Sequence, residues 1–126
     1  LPLKKIRSST VEFQIVGHAA LRGERDYVEP NDRARLEEAI NTHMLTKANF
    51  IKQFYSEPTE MHISPVALVD SSKLHKGVCQ HYGGKITTLR GSIMLFGSPE
   101  CLQFLYDYGL GVRTGQGFGL LEVIKQ

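Results

Sequence analysis

The strongest constraint in this sequence is a glycine-rich tract close to its end, residues 109–119, which reads Gly-Leu-Gly-Val-Arg-Thr-Gly-Gln-Gly-Phe-Gly. Glycine loses more backbone freedom on folding than any other residue, so a tract with five glycines is typical of positive φ angles or of a closely approaching backbone. Arg113 is the one cation within the tract, which indicates that the approaching group is an anion.

Residues on both sides of the tract predict a helix before it and a strand after it. Ser98 is suited to cap a helix, and Pro99 suits the first helical position. Gly109 suits the left-handed residue that ends such a helix, and the apolar run 120–124 predicts a strand. Nucleotide-binding loops instead follow a strand and open a helix, and neither G-x-G-x-x-G nor a Gly-Lys-Ser/Thr triplet is present. The pattern therefore argues against the Rossmann and P-loop classes.

Hydrophobic periodicity predicts four more elements earlier in the chain. Val11, Phe13 and Ile15 alternate with polar residues, as in a strand with one buried face. From about Asp32 the apolar residues recur at intervals of three and four, which predicts a helix that ends at Glu57-Pro58. Two further strands are predicted at 66–69 and 89–96, joined by a turn at 82–84. The sum is βαββαβ, an α+β ferredoxin-like fold with an antiparallel sheet and two helices.

Charge is distributed unevenly along the chain, although the formal net charge is only +2. The stretch 71–99 contains no acid, and its cations are Lys73, Lys76, Lys85 and Arg90. Eight of the thirteen acids lie between residues 24 and 60. We therefore predict that one side of the domain is positive and binds the phosphates of a nucleic acid.

The remaining composition is that of an intracellular globular domain, and we expect a cytoplasmic protein without a membrane partner. The first nine residues contain no apolar stretch of the length of a signal peptide. Cys79 and Cys101 form no C-x-x-C pair, and His, Cys, Asp and Glu show no spacing typical of metal ligands. We therefore expect two reduced thiols, no metal and no cofactor.

The glycine tract also carries a resemblance to a known family. Its Gly109-Leu110-Gly111, the basic Arg113, and Gly117-Phe118-Gly119 before a strand containing Glu122 resemble the C-terminal signature of CRISPR-associated endoribonucleases that process precursor CRISPR RNA, in the RAMP superfamily. The similarity covers the last third of the chain closely and continues more loosely to about Val11. Gly115 departs from the small polar residue common in this family, which affects a side-chain contact but not the loop.

The resemblance implies how the chain is organised. Family members have two ferredoxin-like domains, with the glycine-rich loop in the second, and 126 residues leave room for one. We expect residues 1–9 to be a linker or the start of the piece, and residues 10–126 to be the C-terminal ferredoxin-like RAMP domain. The first domain, absent from this chain, is an expected partner, and homodimerisation is left open.

The resemblance also implies an activity, namely metal-independent cleavage of CRISPR repeat RNA by attack of a 2′-hydroxyl on the adjacent phosphate. The family's usual catalytic histidine belongs to the first domain, so we assign no catalytic residue here. The residues predicted to bind RNA lie in the glycine-rich tract and in the basic stretch. They are Gly109, Gly111, Arg113, Thr114, Gly115, Gln116, Gly117, Gly119, Lys73, Lys76, His81, Lys85 and Arg90.

Base recognition needs side chains that stack on unpaired bases or contact their edges, and the candidates are Tyr82, His81, Gln116 and Phe118. Phe118 is favoured as a core residue over a stacking platform. Two other functions fit the same sequence: an RNA-binding subunit that never cleaves, and a metabolite-sensing ferredoxin-like domain that dimerises through its sheet. Fold similarity alone does not separate these functions.

Overall fold

The computed structural model describes residues 4–54, 63–81 and 84–126, and for residues 54 and 81 the backbone alone. The elements run in the order β1 (Thr10–Val16), α1 (Arg33–Phe54), β2 (Ala67–Asp70), β3 (Leu74–His81), β4 (Gly84–Phe96), α2 (Pro99–Tyr108), a short 3-10 helix (Thr114–Gln116) and β5 (Leu120–Lys125).

Four of the strands form an antiparallel sheet in the order β2-β4-β1-β5. Phe13 in β1 lies opposite Ile93 in β4 and Val123 in β5, so the alternating residues of β1 point toward a common interior. Both helices pack on that side, because Leu36 of α1 and Leu105 of α2 belong to the same buried cluster as Phe13. The predicted α+β ferredoxin-like arrangement is confirmed, with β3 added to it.

β3 corrects the predicted topology. We expected the strands at 66–69 and 89–96 to follow one another through a turn at 82–84, whereas in the structure these residues lie between β3 and β4 or begin β4. Gly84 is already the first residue of β4, and Tyr82 and Gly83 lie outside the described residues. The strand predicted to begin at Leu89 therefore begins five residues earlier, since β4 pairs with β3 along the whole of that extension.

The predicted helix signals largely agree with the structure. The Ser98 hydroxyl accepts a hydrogen bond from the Cys101 N–H at 3.1 Å, which caps α2 as expected. Gly109 has a positive φ of 92°, but its ψ of 164° places it outside the left-handed helical region. α1 begins at Arg33, within one residue of the predicted start, and its predicted end at 57–58 lies outside the described residues.

β4 is the longest strand of the described chain, and its two halves pair with different strands. Its second half pairs with β1 and β2, and its first half forms a hairpin with β3. Gly91 separates the halves with a φ of 102°, and a side chain there would collide with the Lys73 carbonyl oxygen. The hairpin of β3 and β4 thus extends the four-stranded sheet along β4.

The chain before β1 also packs on the domain. Ile6 is buried in the main core, and its N–H donates to the Gln103 side chain of α2 at 2.7 Å. The Arg7 N–H donates to the side chain of the last residue, Gln126, at 2.9 Å. No helix within the described ranges is both long and apolar enough to cross a membrane.

Candidate nucleic-acid interface

The glycine-rich tract folds into a loop whose two ends are packed tightly against neighbouring backbone. Gly111 has a φ of 87°, and a Cβ there would collide with the carbonyl oxygen of Ala20. Gly119 has a φ of 77°, and its Cβ would collide with the carbonyl oxygen of Leu110. Both positions therefore require glycine for close approach as well as for backbone conformation. These ends hold the loop in place.

Two glycines of the tract, Gly109 and Gly119, have N–H groups that are already engaged within the protein. Gly109 donates to the Leu105 carbonyl at 2.8 Å, and Gly119 donates to the His18 carbonyl at 2.8 Å. These two glycines, which we predicted to contact RNA, therefore have no N–H available for a phosphate.

The middle of the loop, residues 113–117, is open. Among the residues that the structure describes, the N–H groups of Arg113, Thr114 and Gly115 meet no hydrogen-bond acceptor. A Cβ at Gly115 or Gly117 would meet no atom within 4 Å. Three adjacent N–H donors without an acceptor among the described residues form a site suited to an oxyanion, because backbone amides carry partial positive charge. These three residues, all predicted to bind RNA, therefore keep N–H groups that a phosphate can accept from.

Arg113 is held at the mouth of the loop by a side chain distant in sequence. Its φ of 60° and ψ of 28° are left-handed, which is uncommon for a residue with a side chain. Its Nε donates to the hydroxyl of Tyr27 at 3.2 Å, and its Nη1 lies 3.5 Å from the Gln116 side-chain oxygen. The guanidinium is therefore oriented by uncharged partners, and its charge stays available for an anion.

The segment Ala19–Ala20 joins the loop to the hairpin. Ala19 exchanges two backbone hydrogen bonds with Leu89 of β4, at 2.9 and 2.7 Å. The carbonyl of Ala20 accepts from the Val112 N–H of the loop at 2.8 Å. Backbone hydrogen bonds of this segment thus connect the hairpin to the loop, so the structure does bring the two predicted RNA-binding regions together.

One face of the hairpin, here called the outer face, points away from the helices, because the main buried cluster includes Leu89 on the opposite face. On it lie Ile86 of β4, Ala20 and Phe118 of the loop, which form a small buried cluster. Phe118 is confirmed as a core residue, because only 8% of it is exposed, and it is not a stacking platform. The His18 ring contacts the Thr88 hydroxyl at 2.6 Å on this face.

The four cations of the basic stretch are not gathered on one face. Arg90 lies on the outer face opposite His75, and its stem packs over Gly77, which has no side chain to displace it. Side chains alternate along a strand, so Lys76 and Lys85 lie on the other face, toward the helices.

Two of the cations are paired with acids. Lys76 forms an ion pair with Glu29 at 3.0 Å, and Lys73 forms one with Glu12 at 3.5 Å. The acid-rich and base-rich parts of the sequence are therefore in contact, and the predicted separation of charge is incomplete. The side chain of His81 and all of Tyr82 lie outside the described residues.

The glycine-rich loop and the sheet topology agree with a comparison of the sequence to known protein families. Residues 15–123 match the family model described as CRISPR associated protein Cas6, C-terminal. The chain belongs to this family. This is the family whose C-terminal signature the glycine-rich tract resembles.

One curated relative and several solved structures share this similarity. The relative is a putative CRISPR-associated endoribonuclease-like protein Cas6nc of Pyrococcus horikoshii, 45% identical over 40 residues, or 29% of this chain and 17% of that protein. The structure of a Cas6-related gene product from Pyrococcus furiosus superposes with a TM-score of 0.73 and 19% identity, over 100% of this chain and 52% of that one. Thermus thermophilus Cas6 gives a TM-score of 0.62 and 19% identity, over 92% of this chain and 53% of that one. At these identities the solved structures show a shared fold, and this chain spans about half their length.

In this Cas6 C-terminal domain, side chains of α1 form hydrogen bonds beside the start of the glycine-rich loop. The Lys47 ammonium donates to the Gly109 carbonyl at 2.8 Å and lies 3.4 Å from the Tyr108 carbonyl at the end of α2. One turn earlier, the His43 ring accepts a hydrogen bond from the Arg22 N–H at 3.1 Å. Burial lowers the pKa of His43, and the charge of Lys47 lowers it further. The sequence pattern gave no sign of these contacts, because both residues lie within an ordinary helical repeat.

Lys47 predicts a specific pH dependence of stability. Burial lowers its pKa from 10.5 to about 8 in the folded protein. The unfolded chain therefore binds more protons between these values, so the contribution of Lys47 to stability rises as the pH rises from about 8 to 10.5. We expect urea unfolding to show this rise relative to a Lys47→Met variant, whose other titrating groups are the same. Parallel stability curves for the two proteins would contradict a buried ammonium.

Proposed function

We propose that this chain is the C-terminal, RNA-binding half of a Cas6-type endoribonuclease that processes precursor CRISPR RNA within its repeats. The observation that carries the proposal is the connection of two regions by backbone hydrogen bonds through Ala19 and Ala20. The open N–H groups of Arg113, Thr114 and Gly115 lie in one region, and the cationic hairpin bearing Arg90 is the other. Backbone amides and guanidinium groups are the donors that phosphodiester oxygens accept from.

The contacts proposed here position RNA without reading its sequence. Amide and guanidinium groups bind phosphates of any sequence, so selectivity for a repeat requires base or shape recognition as well. Gln116 is an exposed polar side chain in the 3-10 helix of the loop, suited to a base edge. We propose it for that role and place Phe118 in the core.

The reaction proposed for the whole protein is attack of a ribose 2′-hydroxyl on the adjacent phosphate, without a metal ion. It needs a base for the hydroxyl proton and cations for the charge that develops on phosphorus. Arg113 and the loop amides are suited to holding that phosphate or a neighbouring one. We propose that the general base comes from the other ferredoxin-like domain and assign none to this chain.

A non-cleaving RNA-binding subunit is the second candidate. The P. horikoshii relative is named endoribonuclease-like, and one solved structure, which superposes with a TM-score of 0.72 and 16% identity, is described as "An RAMP protein binding different RNA substrates". The two candidates share every contact described above and differ in catalysis alone. Membership of the Cas6 family gives no support to the metabolite-sensing alternative.

The proposal is tested by fluorescence-anisotropy titration of the chain with a CRISPR-repeat RNA and a scrambled RNA at several salt concentrations. Binding whose logarithm falls linearly with the logarithm of salt supports phosphate contacts, at about −0.7 per contact on a single strand. Absence of binding to both RNAs contradicts RNA binding by this chain. Gel analysis of the same samples, repeated with the other domain supplied, separates the cleaving protein from the non-cleaving one.

The hairpin offers a matched pair of charge reversals. Arg90→Glu changes the outer face, which the loop shares, whereas Lys85→Glu changes the opposite face of the same hairpin. We expect Arg90→Glu to reduce the magnitude of the salt slope by about 0.7 or more, and Lys85→Glu to reduce it less. Equal effects would show that RNA does not distinguish the two faces. Lys5→Glu, on an exposed residue before β1, is the distant control.

A further inference from the structure

Tyr27 lies between two arginines that the sequence separates widely. The guanidinium carbon of Arg22 lies 5.5 Å from the centroid of the Tyr27 ring, as in a cation–π contact. The Nε of Arg113 donates to the hydroxyl of the same ring at 3.2 Å. One aromatic side chain therefore orients both guanidinium groups at the mouth of the glycine-rich loop.

Tyr27 itself is held firmly. Arg22 and Tyr27 pair across a tight turn, and the next pair is closed by a hydrogen bond of 2.7 Å from the Val28 N–H to the Leu21 carbonyl. The half-buried Tyr27 side chain packs against the small cluster on the outer face that includes Phe118. Its position is thus set by the backbone on one side and by buried apolar atoms on the other.

The two arginines carry charge that no nearby acid neutralises. The turn contains several carboxylates, but Asp26 forms an ion pair with Arg35, and Glu29 forms one with Lys76. In residues 4–54, 63–81 and 84–126, no carboxylate forms an ion pair with Arg22 or Arg113. Two guanidinium groups held beside one ring repel each other, and an anion bound between or across them removes that cost.

The donors that remain suit a phosphate. A guanidinium carries five N–H donors. In Arg113 the Nε donates to the Tyr27 hydroxyl and Nη1 points toward Gln116, which leaves the other donors for a ligand. Within the described residues the Arg22 guanidinium contacts the ring and donates no hydrogen bond, so its N–H groups stay available. The unpaired N–H groups of the loop begin at Arg113 itself, which adds donors of the same kind at the same place.

We propose that Arg22 and Arg113, oriented by Tyr27, bind phosphodiester groups of one RNA strand at the mouth of the glycine-rich loop. Arg22 is a phosphate ligand in this site, and Tyr27 is a positioning residue that acts through Arg113. The inference rests on the proposed RNA binding and deepens it, because it adds two residues outside both predicted binding regions. Such contacts fix the register of the strand and are independent of its sequence.

The first test compares two arginines of the same turn. Arg22→Ala removes the proposed ligand, and Arg25→Ala removes an exposed arginine that forms no ion pair within the described residues. With a single-stranded repeat RNA, we expect Arg22→Ala to reduce the magnitude of the salt slope by about 0.7 and Arg25→Ala to leave it unchanged. Thermal unfolding of each variant checks that the fold is retained.

The second test isolates the positioning role of Tyr27. Tyr27→Phe removes the hydroxyl that orients Arg113 and keeps the ring that faces Arg22. We expect it to weaken RNA binding several-fold in the unmodified chain and to have no further effect when Arg113 is already alanine. An equal loss in both backgrounds would assign the effect of Tyr27→Phe to the fold and overturn the positioning role.

The outcomes separate this inference from the proposed function. If the unmodified chain binds RNA and Arg22→Ala behaves as Arg25→Ala does, the arginine site is overturned while RNA binding by the chain stands. If the unmodified chain binds no RNA, both proposals fail. A slope reduced by Arg22→Ala, together with coupling between Tyr27 and Arg113, supports the site.

Discussion

Replacing Gly111 with alanine is expected to destabilise the protein by roughly 2–6 kcal/mol. The φ of 87° is costly for any residue with a Cβ, by about 1–3 kcal/mol. The added methyl would also collide with the carbonyl oxygen of Ala20 and approach the Leu21 side chain, an overpacking cost of about 1–3 kcal/mol. The backbone cannot retreat easily, because the Ala20 carbonyl also accepts from Val112. Urea unfolding measures this loss directly.

Two other glycines of the same loop serve as controls. Gly115 has open space around it and no positive φ, so alanine there should be neutral or stabilising by up to about 1 kcal/mol. Gly117 has a φ of 89° but also open space, so alanine should carry the conformational cost alone, about 1–3 kcal/mol. The series therefore separates backbone strain from collision. Similar losses at Gly111 and Gly115 would refute the close packing described for the loop end.

Replacing Arg113 with alanine is expected to weaken RNA binding about 10- to 100-fold at moderate salt. Hydrogen bonds to charged groups contribute about 1.5–3 kcal/mol, and this side chain is held ready by Tyr27. Fold stability should change little, because the bonds lost within the protein are one to a hydroxyl and a long one to Gln116. Anisotropy titration measures the affinity, and thermal unfolding measures the stability.

Two further substitutions at Arg113 sharpen that result. Arg113→Gly removes the side chain and relieves the left-handed backbone, so it should lose as much binding as alanine while being at least as stable. Arg113→Lys keeps the charge but not the planar pair of donors, so it should retain the salt slope with reduced affinity. Normal binding by the glycine variant would remove Arg113 from the phosphate site.

The main elements of the fold were predictable because their signals are local. Alternation at Val11, Phe13 and Ile15 indicated β1, and Ser98-Pro99 indicated the start of α2. β3 was missed because its sequence, Leu-His-Lys-Gly-Val-Cys-Gln-His, lacks apolar alternation and pairs along one side with β4 alone within the described chain. Val78 is largely exposed, so β3 has no alternation of buried apolar and exposed polar residues from which a strand could be predicted.

The candidate site was predictable in part for a similar reason. Arg113 and the open glycines are recognisable in the sequence itself. Tyr27, in contrast, belongs to the candidate site through a contact between residues 86 positions apart. The stretch 22–30 has the composition of a charged turn, and nothing in it indicates which atoms it touches. Lys47 and His43 follow helical spacing, and their role depends on the loop that packs above them. Contacts of this kind require the fold before they can be read.

β4 runs through both the hairpin and the core, so it couples the stability of the hairpin to that of the core. The same strand contributes Ile93 and Leu95 to the main buried cluster and carries Arg90 on the hairpin. Amide hydrogens at the base of the hairpin, near Leu89, are therefore expected to exchange with solvent as slowly as those of the core, and not with the independence of a surface loop. Any change that lowers the free energy of unfolding of the sheet also lowers the cost of releasing the hairpin. RNA affinity and fold stability are therefore expected to depend on the same cooperative unit.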